Sequence, residues 1–246
     1  MQPAPISNMP ELYRYRVLSS TQETARRLAA DGAPEGTAVL ADVQTAGYGQ
    51  QGRLFRSPQS GLYLSMILRP DCLPQEAAII TPAAALAASD AVRSCCGIEL
   101  QIKWINDLML CGRKAGGILT ETSVGADGRI AWAVTGFGIN LRVPDGGFAP
   151  EIADTAAALL SGCGPEKLGT LRDSLADGII LRMRSYAQML RTGADFDGAA
   201  RESAGGIRKK IWNEYRRRLV SDEQIREYLT LKKNGRREYL PATENL

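Results

Sequence analysis

A glycine-dense segment, Gln44 to Arg53, carries the residues of this chain that are best suited to binding an anion. It reads Gln-Thr-Ala-Gly-Tyr-Gly-Gln-Gln-Gly-Arg and combines three glycines, three amide side chains and an arginine directly after an apolar run, Val39 to Val43. Glycine lets a ligand approach the backbone closely, and successive backbone N–H groups form anion-binding concavities. The segment therefore predicts a site for a phosphate or a carboxylate.

Residues 47–52 also match the G-x-G-x-x-G pattern of dinucleotide-binding proteins. That pattern requires a helix directly after it, whereas residues 53–58 contain a proline and show no helical periodicity. Asp71 stands near the position of the ribose-binding acid, but it lies in a proline-flanked turn. The pattern therefore does not favour a Rossmann fold, and on this segment alone a plain glycine-rich surface loop remains as good an interpretation as an anion site.

The chain contains no histidine, and this restricts its chemistry. Catalysis by Ser-His-Asp or Cys-His groups is excluded, as are the usual histidine-based metal sites. A general base would have to be Lys, Asp, Glu or Tyr. Phosphate chemistry that depends on positioning and on positive charge is favoured instead.

The composition is that of an ordinary globular protein. Its 246 residues, 44% of them hydrophobic, suffice for one large domain or for one domain with a small appendage. The net charge of +3 does not by itself indicate a nucleic acid or a membrane as partner. We expect no secretory signal and no membrane span. The five cysteines are scattered without metal-ligand spacing, so reduced thiols in the cytoplasm are expected.

Strands and helices must position these residues. Alternating and apolar runs predict strands at 12–18 (an edge strand), 37–44, 61–68, 98–104, 108–110, 113–121 and 129–141. Helices are predicted at 20–30, with Ser20 and Glu23 at capping-box spacing, and at 75–96, 154–160, 166–191 and 199–219. Asn234-Gly235 predicts a hairpin within 225–240 that is too small to be stable alone.

Two features of these elements leave alternatives open. Gly136 and Gly138 lie inside a predicted strand, where close approach by a ligand or by another backbone would explain them. The basic clusters 208–210 and 216–218 lie on the last helix. A solvated helix face is favoured for these charges, with a nucleic-acid patch as the alternative.

Four motifs follow one another in a fixed order: Ser20-Thr21, the segment from Gln44 to Arg53, Lys103-Trp104-Ile105-Asn106-Asp107, and Arg113-Lys114-Ala115-Gly116-Gly117-Ile118-Leu119. In this combination the sequence resembles the biotin–protein ligase family from about Leu18 to Leu141. The resemblance implies an α+β fold similar to the class II aminoacyl-tRNA synthetase core, a mixed and mostly antiparallel sheet with helices packed on it. Residues 1–218 would form the catalytic domain and residues 219–246 a short C-terminal appendage that carries the hairpin.

The family reaction has two steps. The carboxylate of biotin attacks the α-phosphate of ATP, with Mg²⁺, to give biotinyl-5′-AMP and pyrophosphate. The ε-amine of one lysine on a biotin carboxyl carrier domain then attacks the mixed anhydride, which gives an amide and AMP. A carboxylate is already a nucleophile at neutral pH, so the first step needs no base. The expected enzyme is a cytoplasmic biotin–[acetyl-CoA-carboxylase] ligase.

The resemblance assigns a role to each matching residue. Lys114 and Arg53 would be catalytic. The biotin-binding residues would be Ser20, Thr21, Gln22, Gln44, Tyr48, Gly49, Gln50, Lys114 and Gly117. The ATP-binding residues would be Arg53, Lys103, Trp104, Asn106, Lys114 and Asn140. No residue is assigned as a metal ligand.

The chain departs from the family pattern in three places. The common loop is Gly-Arg-Gly-Arg-x-Gly-Arg, and Tyr48 and Gln50 replace two of its arginines. We hypothesise that the lost charge at Gln50 weakens retention of the adenylate. The short segment before Ser20 predicts a monofunctional ligase that binds no operator DNA. No membrane partner is expected, because no apolar run approaches the length of a membrane span, and a homodimer is left open. The short C-terminal end puts closure of the ATP site in doubt.

Two other functions remain in competition. Lipoate ligases and octanoyl transferases share the fold, but they would need a long apolar tunnel and would not be expected to carry Lys-Trp-x-Asn-Asp beside this glycine segment. A biotin-binding protein that no longer transfers its ligand is the alternative from a different class, because Gln50 and the short C-terminal end are both departures from active members.

Overall fold

A single mixed sheet organises the part of the chain that the computed structural model describes, residues 9–192 and 204–221. Its strands are β1 (Leu12–Leu18), β2 (Ala38–Gln44), β3 (Gly61–Leu68), β4 (Gln101–Lys103), β5 (Asp107–Leu110), β6 (Arg113–Val124) and β7 (Ile130–Asn140). They lie in the order β1-β2-β3-β7-β6-β5-β4. Only the β1–β2 pair is parallel, and the other five pairs are antiparallel. The predicted mixed, mostly antiparallel sheet with β1 at its edge is confirmed.

Helices cover both faces of this sheet. They are α1 (Thr21–Ala30), α2 (Ile80–Cys96), α3 (Pro165–Thr192) and α4 (Ala204–Arg217). Successive side chains of a strand point to opposite faces, and accordingly Leu40 packs in the core formed with α2, α3 and α4 while Val39 packs against α1. All eight residues of β3 are buried because it lies between these two layers. None of the helices described here is long and apolar enough to cross a membrane.

Helix α1 has the N-cap that the sequence predicts, Ser20. The backbone N–H of Glu23 donates to Ser20 Oγ at 3.3 Å, and Ser20 has the extended backbone typical of an N-cap. The cap directs the first turn of α1 toward the middle of the sheet, where Thr21 and Gln22 are buried. These two polar side chains are therefore available to a cavity inside the protein.

One predicted helix, 154–160, is wrong. This segment forms turns, and Ala156 and Leu160 pair in parallel with Lys114 and Arg142 respectively. The backbone N–H of Lys114 donates to Thr155 O at 2.7 Å and its carbonyl accepts from Ala157 N at 2.8 Å. Buried backbone groups need partners, so pairing along the end of β6 overrides the helical propensity of the alanines.

Other predicted boundaries shift. The strand predicted at 98–104 spans only Gln101–Lys103, and the helix predicted at 75–96 begins at Ile80 after a 3₁₀ turn at Ala77–Ile79. Of the helix predicted at 199–219, the described part is α4, and the predicted hairpin at 225–240 lies outside the described residues. The proposed boundary between residues 218 and 219 stays a prediction, because residues 222–246 of the proposed appendage lie outside the described residues.

A solvated face was predicted for the basic residues on and just after α4, and this prediction is wrong for Arg208 and Arg218. Arg208 pairs with Glu76 at 2.6 Å, and Arg218 pairs with Asp90 at 2.8 Å and with Glu214 at 2.9 Å. The Arg218 side chain is mostly buried. These contacts attach α4 to α2 and to the turn before it, and they place the aromatic residues of α4 beside the loop that follows β4.

Candidate active site

A cavity of about 390 Å³ lies where the first turn of α1 faces β6, β7 and the connection between β2 and β3. Thirteen of the fourteen site residues predicted from the sequence line it: Ser20, Thr21, Gln22, Gln44, Tyr48, Gly49, Gln50, Arg53, Lys103, Trp104, Asn106, Lys114 and Gly117. The fourteenth, Asn140, lines an adjoining cavity of about 580 Å³ instead. Gln44, Leu54 and Phe55 line both cavities and form the wall between them.

One end of the 390 Å³ cavity is a closed network of polar side chains, which we call the polar end: Thr21, Gln22, Gln44 and Ser65. Gln44 Oε1 accepts from both the backbone N and the Oγ1 of Thr21, at 2.8 and 3.0 Å. Thr21 Oγ1 and Ser65 Oγ lie 3.0 Å apart, and Ser65 Oγ donates to Gln22 Oε1 at 3.0 Å. Gln22 Nε2 donates in turn to Val134 O at 3.0 Å. Buried and mutually bonded polar groups of this kind hold a rigid geometry.

Two glycines of β7 make room for this end of the cavity. A Cβ at Gly136 would lie 2.5 Å from Gln22 Oε1, and one at Gly138 would lie 2.6 Å from the ring of Phe55. The predicted crowding at these glycines is confirmed, and side chains from α1 and from the β2–β3 connection contribute to it. Both glycines also line the cavity, so close approach by a ligand stays a prediction.

A β-bulge aims Lys114 into the cavity. Asp107 pairs with Gly117 and Leu108 with Gly116, but Met109 pairs with Lys114, so Ala115 is an extra residue in β6. A bulge shifts the alternation of side chains by one position. Lys114 and Gly117 therefore face the same side of the sheet, and a Cβ at Gly117 would lie 3.3 Å from Lys114 Cε.

Asp107 lies beside the amine of Lys114, with Nζ and Oδ1 2.5 Å apart. Among the described residues that line this cavity, Asp107 is the only carboxylate. The Lys114 side chain is 41% exposed, so solvent screens the pair and its contribution to stability is small. The ion pair instead fixes positions, because it holds a cation and a hydrogen-bond acceptor at one point of the cavity wall.

The asparagine of the Lys-Trp-x-Asn-Asp motif ties the turn between β4 and β5 to β6. Asn106 Nδ2 donates to Ile118 O at 2.7 Å, and the Ile118 N–H donates to Asn106 O at 2.9 Å. Asn140, in the second cavity, likewise uses its Nδ2 to donate to Ala157 O at 2.9 Å. Both asparagines therefore fix the backbone that surrounds Lys114.

Trp104 is not a core residue. It is 59% exposed, and one face stacks on Trp212 of α4, with ring centroids 5.8 Å apart and an interplanar angle of 20°. Tyr215 packs edge-on against both indoles and donates from its hydroxyl to Ile105 O at 2.8 Å. Burial raises the pKa of Tyr215 to about 12, so it remains a donor at neutral pH.

The segment that is densest in glycine forms a structured hairpin, residues 44–57, which we call the glycine hairpin. Gln44 pairs with Ser57 and Tyr48 with Leu54. Within it, Gly49 N donates to Arg53 O at 2.8 Å and Phe55 N to Gly47 O at 2.9 Å. Its tip is a 3₁₀ turn, Gln50–Gly52, in which Gln51 has a φ of 58°. The segment is therefore an ordered hairpin, and its role as an anion site stays a prediction.

Nine of the residues that line the cavity were not predicted as site residues from the sequence, and three of these, Asp107, Ser65 and Phe55, contact or neighbour predicted ones. Asp107 closes the Lys-Trp-x-Asn-Asp motif, so its position in that motif was a usable signal. Ser65 is the only hydroxyl other than Tyr63 within the apolar run 61–68, and a lone buried hydroxyl in such a strand needs a partner. Phe55 carried no comparable signal.

Comparison with known proteins identifies the family. The model of the biotin/lipoate A/B protein ligase family matches residues 14–140, which is just over half of the chain. The chain belongs to the biotin/lipoate A/B protein ligase family. The sheet and both cavities described above are built largely from these residues, and the resemblance predicted from the motifs is confirmed at this level.

Relatives of this family member are named as biotin ligases. The bifunctional ligase/repressor BirA of Bacillus subtilis is 42% identical over 154 residues, 62% of this chain and 47% of the relative. The biotin–[acetyl-CoA-carboxylase] ligase of Paracoccus denitrificans is 41% identical over 131 residues, 52% of this chain and 54% of the relative. The chain thus spans about half the length of the curated relatives it matches.

Solved structures of the family share the fold. The biotin protein ligase of Aquifex aeolicus in complex with biotin and ATP is 26% identical, with a TM-score of 0.56 over 73% of each chain. The Leishmania major enzyme in complex with biotinyl-5-AMP has a TM-score of 0.62 over 96% of this chain and 88% of its own, at 20% identity. The predicted α+β fold of the family's catalytic domain is confirmed.

Proposed function

We propose that this protein uses ATP to attach biotin to a lysine of a biotin carboxyl carrier domain, through biotinyl-5′-AMP. The observation that carries the proposal is the arrangement of the 390 Å³ cavity. A preformed polar end lies in the same cavity as Lys114 and Arg53. One end can therefore hold a neutral group rich in donors and acceptors, while the cations meet an anion.

Biotin matches both requirements. Its ureido group presents two N–H donors and one carbonyl acceptor, which suit the hydroxyl and amide groups of Thr21, Gln44 and Ser65. Its carboxylate is already charged at neutral pH. With the ureido ring at the polar end, the carboxylate extends toward the Lys114 amine. Gly117, directly beside Lys114, leaves space for the ligand between these two points.

The first step needs alignment and positive charge. A carboxylate oxygen of biotin attacks the α-phosphorus of ATP, the bond to the β-phosphate oxygen breaks, and pyrophosphate leaves. Lys114 would lie between the carboxylate and the α-phosphate and would lower the repulsion between them. Arg53, Lys103 and Asn106 would contact the phosphates. The adjoining cavity at Asn140 shares a wall with the first and would receive the rest of the nucleotide.

Mg²⁺ is proposed as a companion of ATP rather than as a resident ion. The described residues hold no cluster of three or more His, Cys, Asp or Glu side chains that could bind a metal. Magnesium in nucleotide sites is commonly held by one or two carboxylates together with the substrate phosphates. Asp107 fits this pattern as the one carboxylate of the described cavity lining.

The second step needs a proton acceptor. The carrier lysine must lose a proton as its nitrogen attacks the acyl carbon and AMP departs. Asp107 lies 2.5 Å from Lys114 Nζ, so its carboxylate is at the reacting centre and can accept that proton or pass it to solvent. The carrier domain as partner, and the cytoplasm as the place of reaction, belong to this proposal.

Lipoate or octanoate transfer is the weaker candidate. Those acyl chains are apolar along their length, whereas four hydrogen-bonded polar side chains close this cavity at one end. Placing a methylene chain there would bury these groups against an apolar surface, which offers them no hydrogen bonds. A non-transferring biotin-binding protein remains the second alternative, which kinetics can separate.

The test is biotin-dependent exchange of pyrophosphate into ATP, followed by transfer of labelled biotin to a carrier domain. We expect exchange with biotin and not with lipoate, and we expect Lys114→Ala to lower both activities at least 100-fold, as for removal of a charged group that acts in the transition state. Lys167→Ala, at an exposed position on α3, is the matched control. Exchange with lipoate alone, or biotin binding without exchange, would overturn the proposal.

A further inference from the structure

Tyr48 connects the glycine hairpin to two residues outside the cavity lining. Its hydroxyl donates to Glu121 Oε2 at 3.0 Å. Arg26 Nη1 donates to Glu121 Oε1 at 3.2 Å and to the Tyr48 hydroxyl at 3.5 Å. The three side chains come from the hairpin, from β6 and from α1, so together they join the hairpin to the two walls of the cavity.

The position of Glu121 follows from the alternation of β6. Beyond the bulge, Gly117 and Leu119 face the cavity, and Glu121 is the next residue on the same face of the strand. Arg26 lies just over one turn along α1 from Thr21 and Gln22, whose side chains form the polar end. A bond between Tyr48 and this pair therefore joins the hairpin to α1 and to β6, the two elements that carry the polar end and Gly117.

The base of the hairpin is held separately. Gln44 Nε2 donates to Ser57 Oγ at 2.9 Å, and the buried side chain of Arg172 donates to Gly61 O at 2.9 Å and pairs with Asp42 at 2.8 Å. The tip, in contrast, is exposed, as are Arg53 and Leu54 next to it. Tyr48 lies between the anchored base and this tip. A hydrogen bond at this position can therefore hold the hairpin over the cavity.

We propose that Arg26 and Glu121 are positioning residues that act through Tyr48 to hold the glycine hairpin closed over the cavity before any ligand is bound. This closure would also slow the departure of the acyl adenylate, and that second part rests on the proposed function. The arrangement depends on Tyr48, which stands where the family's common loop has an arginine. A phenol donates to Glu121 and accepts from Arg26 at once, whereas an arginine could only donate.

The electrostatics of the three groups agree with this role. Burial is the main cause that raises the pKa of Tyr48, so its hydroxyl keeps its proton at neutral pH. The hydrogen bond from Arg26 to Tyr48, with the nearby charge of Glu121, raises the pKa of Arg26. Arg26 and Glu121 are 46% and 29% exposed in their side chains, so their ion pair alone would contribute little to stability. Its effect is to orient the acceptor for Tyr48.

Amide hydrogen exchange of the ligand-free protein tests the closure without reference to any activity. The reporters are the N–H groups of Gly49 and Phe55, which are bonded within the hairpin. We expect Glu121→Ala and Tyr48→Phe to accelerate their exchange about tenfold, the scale of one lost hydrogen bond. Arg26→Gln should have a smaller effect. Arg27→Gln, which alters the next residue of α1, is the matched control and should leave exchange unchanged.

The release rate of the biotinyl adenylate, measured by chase with unlabelled ligand, tests the second part. Glu121→Ala and Arg26→Gln should accelerate release about tenfold and about threefold, while the maximal rate of pyrophosphate exchange changes less than twofold. Glu121→Gln, which retains an acceptor for the Tyr48 hydroxyl, should restore most of the retention. In the double variant Tyr48→Phe/Glu121→Ala, the effect should be no larger than in either single variant.

Each outcome of these two experiments tests one part of the proposal. Unchanged amide exchange in Glu121→Ala and Tyr48→Phe would overturn the closure. Faster amide exchange with unchanged adenylate release would overturn the effect on retention. Faster amide exchange in a protein whose wild type forms no adenylate would support the closure and overturn the proposed function instead.

Discussion

The polar end and the tip of the glycine hairpin face the same cavity but are built in opposite ways. At the polar end, Ser65 is fully buried, donates a hydrogen bond to Gln22 Oε1 at 3.0 Å and has its oxygen 3.0 Å from Thr21 Oγ1. At the tip, Gln50, Gln51 and Gly52 are exposed, and the side-chain hydrogen bond made there, Arg53 to Gln51 at 3.1 Å, stays within the hairpin. If the proposed function holds, the contrast predicts that the polar end is preorganised for ligand recognition, whereas ligand retention depends on the more exposed tip.

This difference predicts where substitutions act. Changes at the polar end should lower both stability and ligand affinity, because buried groups lose partners. Changes at the tip should leave stability nearly constant and alter only the rate at which ligand leaves, because exposed groups can exchange a lost partner for water. Four substitutions, ordered by expected effect, test this division.

Gly136→Ala should have the largest effect. Its Cβ would lie 2.5 Å from Gln22 Oε1 and 3.3 Å from Ser65 Oγ, so the polar end must shift. Overpacking of a core costs about 1–3 kcal/mol, and we expect biotin affinity to fall about 100-fold with the loss of geometry. Calorimetric titration and urea unfolding measure the two quantities. Gly162→Ala, with no atom within 4 Å of its added Cβ, is the control. Unchanged affinity would show that the polar end is not preorganised.

Ser65→Ala should come next. It removes the donor to Gln22 Oε1 and the partner of Thr21 Oγ1 without adding volume. Leaving buried polar groups without partners costs about 1–3 kcal/mol, and both stability and biotin affinity should fall together. Ser94→Ala, at an exposed position near the end of α2, should change neither. A loss of affinity without a loss of stability would contradict the expectation that substitutions at the polar end lower both.

Gln50→Arg should act on retention alone. It introduces the arginine that the resemblance leads us to expect at this position, and under the proposed function the added charge would face the phosphate of the adenylate. We expect the adenylate to leave about tenfold more slowly, with the midpoint of urea unfolding unchanged. Gln51→Arg, which adds the same charge one residue further along the tip, controls for net charge. An unchanged release rate would remove Gln50 as the cause of weaker retention.

Gln51→Gly should have the smallest effect. The left-handed conformation at Gln51, with a φ of 58°, costs a non-glycine residue about 1–2 kcal/mol, and the extra flexibility of an unfolded glycine offsets about 0.5–1 kcal/mol of that. Thermal unfolding should therefore change by no more than a few degrees. A large stabilisation would show that the tip is coupled to the rest of the fold, which would contradict the expectation that tip substitutions leave stability nearly constant.

Much of the molecule could be predicted from local patterns. The capping of α1 by Ser20 is a contact over three residues, and the fully apolar strand β3 is a run over eight. The helix predicted at 154–160 failed because that segment pairs with the bulged end of β6, at a distance of about forty residues in sequence. Local propensity cannot anticipate such a partner, since it reports only on neighbours along the chain.

The sequence by itself determined the residue types of the site and their order: the glycine segment, the Lys-Trp-x-Asn-Asp motif and Lys114, in a chain without histidine. Only the tertiary structure decided which way they face. The bulge at Ala115 places Lys114 on the side of Gly117, and the glycines of β7 admit Gln22 and Phe55. It also decided that Tyr48 meets Arg26 and Glu121, which lie 22 and 73 residues away along the chain. These contacts depend on strand register and helix packing, and neither can be predicted from any short segment of the sequence.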